Sequence, residues 1–206
     1  THHASSAASD VYKRQQLICM QSKIEEKTIF ISGGNGAVGH LAIQIAKYRG
    51  AQIIATSRAS QGKKLQDLGA DFVLDYADPE LDKKVLECAP NGVDHAVVVE
   101  FGENLNSIPT MLRAMGPVSI YGSGKNMNPK FPFGEYLFKR LTLNVILVYI
   151  MPMPVRKRLI KIIHDAYINN ALSPSIDSIY ELGDCAKAHE QVMKPGRNGT
   201  VLLKID

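Results

Sequence analysis

Residues Thr28 to Gly50 constrain the fold more than any other stretch. They read Thr28-Ile-Phe-Ile-Ser32, then Gly33-Gly-Asn-Gly-Ala-Val-Gly39, then His40-Leu-Ala-Ile-Gln-Ile-Ala-Lys-Tyr-Arg-Gly50. A buried strand, a glycine turn and an amphipathic helix follow one another without a spacer. Gly34-Asn35-Gly36-Ala37-Val38-Gly39 fits G-x-G-x-x-G, a pattern that gains meaning when a strand precedes it and a helix follows. The chain must turn sharply, bring its backbone close to a pyrophosphate, and pack the helix tightly on the sheet. The first free N–H groups of that helix then face the anion. The same residues would also serve a tight turn that holds nothing, so the motif alone leaves the ligand open.

Strands and helices alternate after this unit. Strands are expected at Gln52–Thr56, Phe72–Leu74, His95–Val99, Val118–Tyr121, Leu143–Ile150 and Thr200–Ile205. Helices are expected at Lys63–Leu68, Pro79–Cys88, Asn104–Met115, Phe133–Lys139, Pro154–Asn170 and Asp184–Met193. In the first helix Val38, Leu41, Ala42, Ile45 and Ala46 share one face, and Gly50 is its natural stop. The strands are apolar throughout rather than alternating, which implies a parallel sheet covered on both faces. The expected fold is α/β, a doubly wound Rossmann-type sheet in a single domain, closed by a C-terminal return strand.

The 206 residues suffice for one such domain. Residues 1–16 are Ser- and Ala-rich without a period, and are read as tag-like; the domain is taken as 17–206, with the end of a helix around Leu17–Ile24. A net charge of +4 does not by itself indicate nucleic acid. Cys19, Cys88 and Cys185 are dispersed, which argues against a disulfide framework and fits a reducing, cytoplasmic setting. The longest apolar run, Val145 to Met151, is far short of the roughly 20 residues that span a bilayer.

The residues after the second strand bear on cofactor choice. NAD-binding versions place an acid about 20 residues beyond the glycines, on the ribose 2′-hydroxyl. Here Ala55-Thr-Ser-Arg-Ala-Ser60 occupies that place, and no acid stands between Gly39 and Asp67. Arg58 can pair with a 2′-phosphate, Ser57 can donate to it, and Lys63 and Lys64 add positive charge. The expected cofactor is NADPH. The alternative is a solvated Arg58 and a site that accepts both dinucleotides.

Several further segments carry a family likeness: Ala42-Ile-Gln-Ile-Ala-Lys47 after the glycines, Leu68-Gly-Ala-Asp71, Val73-Leu-Asp-Tyr76, Gly92-Val-Asp94, Tyr121-Gly-Ser123, Ala188-His-Glu190 and Gly199-Thr-Val-Leu202. In their order and spacing the chain resembles the medium-chain dehydrogenase/reductase superfamily, and within it the zeta-crystallin-like NADPH:quinone oxidoreductases. The resemblance implies pyrophosphate contacts at Asn35, Gly36, Ala37 and Val38. It implies Arg58 and Tyr76 at the 2′-phosphate, and Asn104 beside the cofactor. Tyr121, Gly122, Ser123 and Gly124, with Ile146, Leu147 and Val148, would line the nicotinamide end. Arg58 stands where a small residue is usual, and Ala37 where a glycine is usual.

Family members carry an N-terminal GroES-like domain, with the substrate in the cleft between the two. This chain has no room for it, so no catalytic residue is assigned and little turnover is expected from these residues alone. The implied reaction is zinc-independent reduction of a quinone or enone. The alternatives are an enoyl or alkenal reductase of the same superfamily, or a non-catalytic module that binds NADPH or RNA. A homodimer formed through the 143–150 strand is the family-like way to cover that apolar segment.

Other chemistries find little support. None of the six histidines has a metal-like partner spacing, and His189-Glu190 lacks the second His of H-E-x-x-H. A short-chain dehydrogenase would need Tyr and Lys four residues apart, whereas Tyr136 is followed by Lys139 and Arg140. Arg156-Lys-Arg158 with Lys161 is read as a solvated face, because no exposed aromatics interleave as in nucleic-acid grooves.

Overall fold

The computed structural model describes residues 24–194 and 199–205. The tag-like segment 1–16 and the helix end at 17–23 lie outside them. Six parallel strands form one sheet: β1 (Thr28–Ile31), β2 (Gln52–Ser57), β3 (Phe72–Asp75), β4 (His95–Val98), β5 (Pro117–Ile120) and β6 (Thr142–Val145). Their order is β3-β2-β1-β4-β5-β6, with Ile31 beside both Ala55 and Val97. The order reverses between β1 and β4, and ligands of open α/β sheets bind in the crevice at that point.

The near-continuous apolar strands have a simple cause. Ile29, Ile31, Ile53, Ala55 and Val97 point into one core, against α1 (Ala37–Tyr48), Leu65 of α2 (Gly62–Asp67) and Leu159 and Ala166 of α7 (Met153–Ile168). Phe30, Ile54, Ala96, Val98, Val118 and Ile120 point into a second core. That core is closed by α3 (Leu81–Cys88), α4 (Phe101–Asn104), α5 (Ile108–Met111) and Tyr136 of α6 (Phe133–Phe138). Both faces are covered, so these positions favour apolar side chains, and buried polar residues such as His95 and Ser119 are hydrogen-bonded to each other.

The structure departs from the sequence reading in three places. The single helix expected over 104–115 is two short ones, α4 and α5. Pro109 has no N–H to give the Leu105 carbonyl, and the Tyr136 hydroxyl donates to that carbonyl instead, at 2.9 Å. Burial raises the Tyr136 hydroxyl above its ordinary pKa, which keeps it a donor. The strand expected over 143–150 ends at Val145, and Val148–Ile150 forms a 3-10 turn. Ile146 continues inward, donating its N–H to the Ile120 carbonyl at 2.8 Å. Finally, β7 (Ile176–Glu181) was not legible in the sequence. It pairs in parallel with β8 (Thr200–Lys204) as a separate two-stranded sheet, and α8 (Cys185–Met193) packs on both strands.

The route into that second sheet is fastened to α1. Gln44, on α1, accepts the Ser173 N–H at 2.7 Å and donates to the Ser173 carbonyl at 3.2 Å. His40 Nε2 lies 3.0 Å from the same carbonyl. These two polar residues are buried on the helix that follows the glycine turn, which explains why α1 is covered almost all round rather than along one stripe.

Candidate cofactor site

The glycine turn is held between two strands. Gly33 (φ +66°) donates its N–H to Thr56 Oγ1 at 3.1 Å, and Gly34 donates to the Thr56 carbonyl at 2.8 Å. On the other side Ser32 Oγ accepts the Val99 N–H at 2.8 Å. Gly39 brings the helix onto the turn: a Cβ there would lie 2.3 Å from the Gly33 carbonyl oxygen. Gly36 caps α1 without a side-chain hydrogen bond, and the first turn carries no acid. The amides of Ala37, Val38 and Gly39 belong to that turn, where a helix leaves its N–H groups without internal partners and concentrates positive potential.

Two adjoining cavities open at this edge of the sheet. The first, about 230 Å3, is lined by Asn35, Gly36, Ser57, Arg58, Gln61 and Tyr76. The second, about 430 Å3, is lined by Ser32, Val99, Glu100, Glu103, Asn104 and Lys125. Gly33, Thr56 and Tyr76 border both. Among the described residues, no acid lines the first cavity. Arg58 is exposed there, and its Nε donates to the Tyr76 hydroxyl at 3.2 Å. That contact raises the guanidinium above its ordinary pKa, so Arg58 is cationic at any physiological pH. Asn35 Oδ1 is buried and has no hydrogen-bond partner among the described residues. A dinucleotide fits this set: first-turn amides for a pyrophosphate, a guanidinium fixed by a phenol for a further phosphate, and an unpartnered amide oxygen beside them that can accept from a hydroxyl.

Some expected roles change. The Ser57 hydroxyl is buried and donates to the Arg58 carbonyl at 2.9 Å, so it shapes the wall and its hydrogen is already used. Lys63 pairs with Asp67 at 3.7 Å and Lys64 reaches Ser175 at 3.5 Å; neither is among the described residues that line these two cavities. Asn104 does line the second cavity, but its amide folds back on the Val99 and Glu100 carbonyls at 3.1 and 2.9 Å and so positions the loop. Ala37 and Val38 stand at the start of α1 beside the first cavity.

The group assigned to the nicotinamide end sits further along. Gly122 accepts the Phe101 N–H at 3.0 Å, and Ser123 Oγ accepts the Gly102 N–H at 2.9 Å. Gly122 and Ser123 therefore tie the loop after β5 to the start of α4. Ile146 is buried in the first core, and Leu147 is half exposed. Among the described residues, none of Tyr121–Gly124, Ile146 or Leu147 lines either cavity. Thr56, Gln61, Glu100, Glu103 and Lys125 were not singled out from the sequence. Thr56 had one available signal, its place at the end of the strand adjoining the glycine turn; the others carry no local pattern.

Residues 37–165 match the family described as Zinc-binding dehydrogenase. The chain belongs to this family. Within the medium-chain dehydrogenase/reductase superfamily, this zinc-binding dehydrogenase chain is similar to quinone-oxidoreductase-like proteins. It is 27% identical over 194 residues to the mitochondrial NAD(P)H oxidoreductase RTN4IP1 of Drosophila melanogaster, covering 87% of this chain and 46% of that protein. It is 26% identical over 182 residues to the chloroplastic quinone-oxidoreductase homolog of Spinacia oleracea, covering 87% of this chain and 53% of that protein. The structure of 2-haloacrylate reductase superposes with a TM-score of 0.89 at 19% identity, covering 99% of this chain and 66% of that one; at this identity the likeness is one of fold. The chain spans about half the length of the curated relatives it matches. Despite the family's description, no three His, Cys, Asp or Glu side chains cluster as metal ligands among the described residues. No helix among them is long and apolar enough to cross a membrane.

Proposed function

We propose that this chain is the NADPH-binding part of an oxidoreductase that reduces quinones or activated alkenes without zinc. The observation that carries the reading is the first cavity. A helix N-terminus and a phenol-fixed Arg58 converge on a pocket with no carboxylate among its described lining residues. A carboxylate there would accept from a 2′-hydroxyl and repel a 2′-phosphate; a guanidinium does the reverse. When bound, the cofactor supplies a hydride, and the protein supplies position and a shaped surface. Quinones and enones are already electrophilic at the carbon or oxygen that is reduced, so their polarisation by a metal is not needed.

The same reading takes residues 17–206 as the cofactor domain, and places the residues that position substrate in the remainder of the longer relatives' length. Quinone-dependent NADPH oxidation by these 206 residues alone is then expected to be slight. A second copy is expected to cover the edge of β6, where Val145, Tyr149 and Ile150 are each at least 70% exposed. Cytoplasmic residence completes the proposal; the two relatives are named for the mitochondrion and the chloroplast, and microscopy of the tagged protein distinguishes these compartments. The central test is titration calorimetry of the chain with NADPH and NADH. Tighter binding of NADPH is expected, and equal binding would remove the 2′-phosphate from the argument.

A further inference from the structure

The second cavity has a lining unlike the first. Glu100, Glu103 and Lys125 border it, alongside Val99, Asn104 and Tyr76. Glu100 is not free to turn toward a ligand. It stands in the left-handed region (φ +54°) at the start of α4, and its Oε2 accepts the Lys125 N–H at 2.8 Å. Glu103, one turn further on, donates its N–H to the Glu100 carbonyl at 3.1 Å, while its carboxylate makes no hydrogen bond or ion pair among the described residues. It is thus an unspent carboxylate at the rim of a cavity of about 430 Å3, a volume within the range of small-molecule sites.

What can lie there follows from the first cavity. The phosphate at Arg58 is carried on a ribose, and the base on that ribose is one bond from the adjacent carbon. Gly33, Thr56 and Tyr76 border both cavities, so a ribose held between them puts the base on the Val99 and Glu103 side. An adenine presents a 6-amino group with two N–H donors on one edge, next to ring nitrogens that only accept. A carboxylate has only acceptors to offer. Among the carboxylates that border this cavity, Glu103 is the one with neither oxygen engaged by a described residue, so the amino group can meet it without displacing a bond, while the Lys125 ammonium suits a ring nitrogen.

We propose that Glu103 is a specificity-determining residue that accepts a hydrogen bond from the 6-amino group and so selects an adenine over a 6-oxopurine. The inference rests on the NADPH reading above, since that reading fixes where the ribose lies. A 6-oxo base turns a carbonyl oxygen toward the carboxylate, and loses the bond and adds repulsion.

The test is calorimetric titration of the chain with NADPH and with its hypoxanthine analogue, in which the 6-amino group is replaced by a carbonyl. Wild type is expected to favour NADPH by about tenfold, the scale of one charged hydrogen bond partly screened by solvent. Glu103→Ala is expected to bring the ratio within about twofold, chiefly by weakening NADPH, and Glu103→Gln, whose amide can accept from a 6-amino group or donate to a 6-oxo group, to bring it within about twofold while holding both dinucleotides. Glu103 is exposed, so thermal unfolding of both variants is expected to match wild type. Equal wild-type affinity for the two dinucleotides overturns the role of Glu103 and leaves the cofactor reading standing. A preference that survives in Glu103→Ala assigns the selection elsewhere. Failure to bind either dinucleotide overturns the cofactor reading itself.

Discussion

Mild acid should weaken this fold through one buried side chain. His95 lies in β4, 2% exposed, with Nε2 2.8 Å from Ser119 Oγ on β5. Its Nδ1 is buried with no partner, so a second ring proton would have nothing to bond. Burial pushes its pKa down from 6.5 to about 4. In the unfolded chain the ring titrates near its ordinary value, so between pH 6.5 and 4 the unfolded state binds more protons than the folded one. The contribution of the neutral ring is therefore fully present above pH 6.5, is lost as the pH falls, and levels off below 4. Integrated from pH 7 to pH 5, the loss is about 2 kcal/mol. The assay is urea unfolding at half-unit steps across that range, with wild type beside His95→Gln, which can still bond Ser119 but cannot titrate. Above pH 5 most carboxylates stay ionised, and the other histidines are common to both proteins. The slope of the difference between the two curves therefore reports His95. Parallel curves for wild type and His95→Gln across pH 7 to 5 would refute the reasoning.

Three further outcomes are expected. Gly39→Ala forces a Cβ against the Gly33 carbonyl, a backbone atom that cannot swing aside; a loss of about 1–3 kcal/mol is expected in chemical unfolding, together with weakened dinucleotide binding. Tyr136→Phe leaves the Leu105 carbonyl buried without its donor, and should destabilise by about 1–3 kcal/mol, read as an earlier urea midpoint at unchanged slope. Arg58→Asp should reverse the preference between NADPH and NADH by about tenfold or more in titration calorimetry, while leaving the melting temperature of the free chain in place.

The glycine unit and the six-stranded sheet were legible because their causes are local. Gly33 to Gly39 must turn and then admit a helix, and strands such as Ile53–Ala55 and Ala96–Val98 are apolar on both sides because two cores need them so. Arg58 and Tyr76 were also legible, one from the missing acid and the other from the family likeness; their mutual hydrogen bond joins residues 18 apart that the sequence shows only separately. What was hidden depends on distant partners. The break between α4 and α5 needs the Tyr136 hydroxyl, which arrives from α6. β7, Ile176-Asp-Ser-Ile-Tyr-Glu181, has too polar a pattern to announce a strand, and becomes one by pairing with β8. The use of the Ser57 hydroxyl by its neighbour's carbonyl left no trace in residue type. Glu100 and Glu103 carry no pattern in the sequence that marks them as cavity walls.

The grip of Gln44 on Ser173 gives the molecule a mechanical property. Both backbone groups of Ser173 end on one side chain, one turn beyond His40, whose own N–H is bonded to Gly36. The strap into β7 is therefore registered against the same helix that follows the glycine turn. The second sheet departs from a bearing that the cofactor helix itself provides.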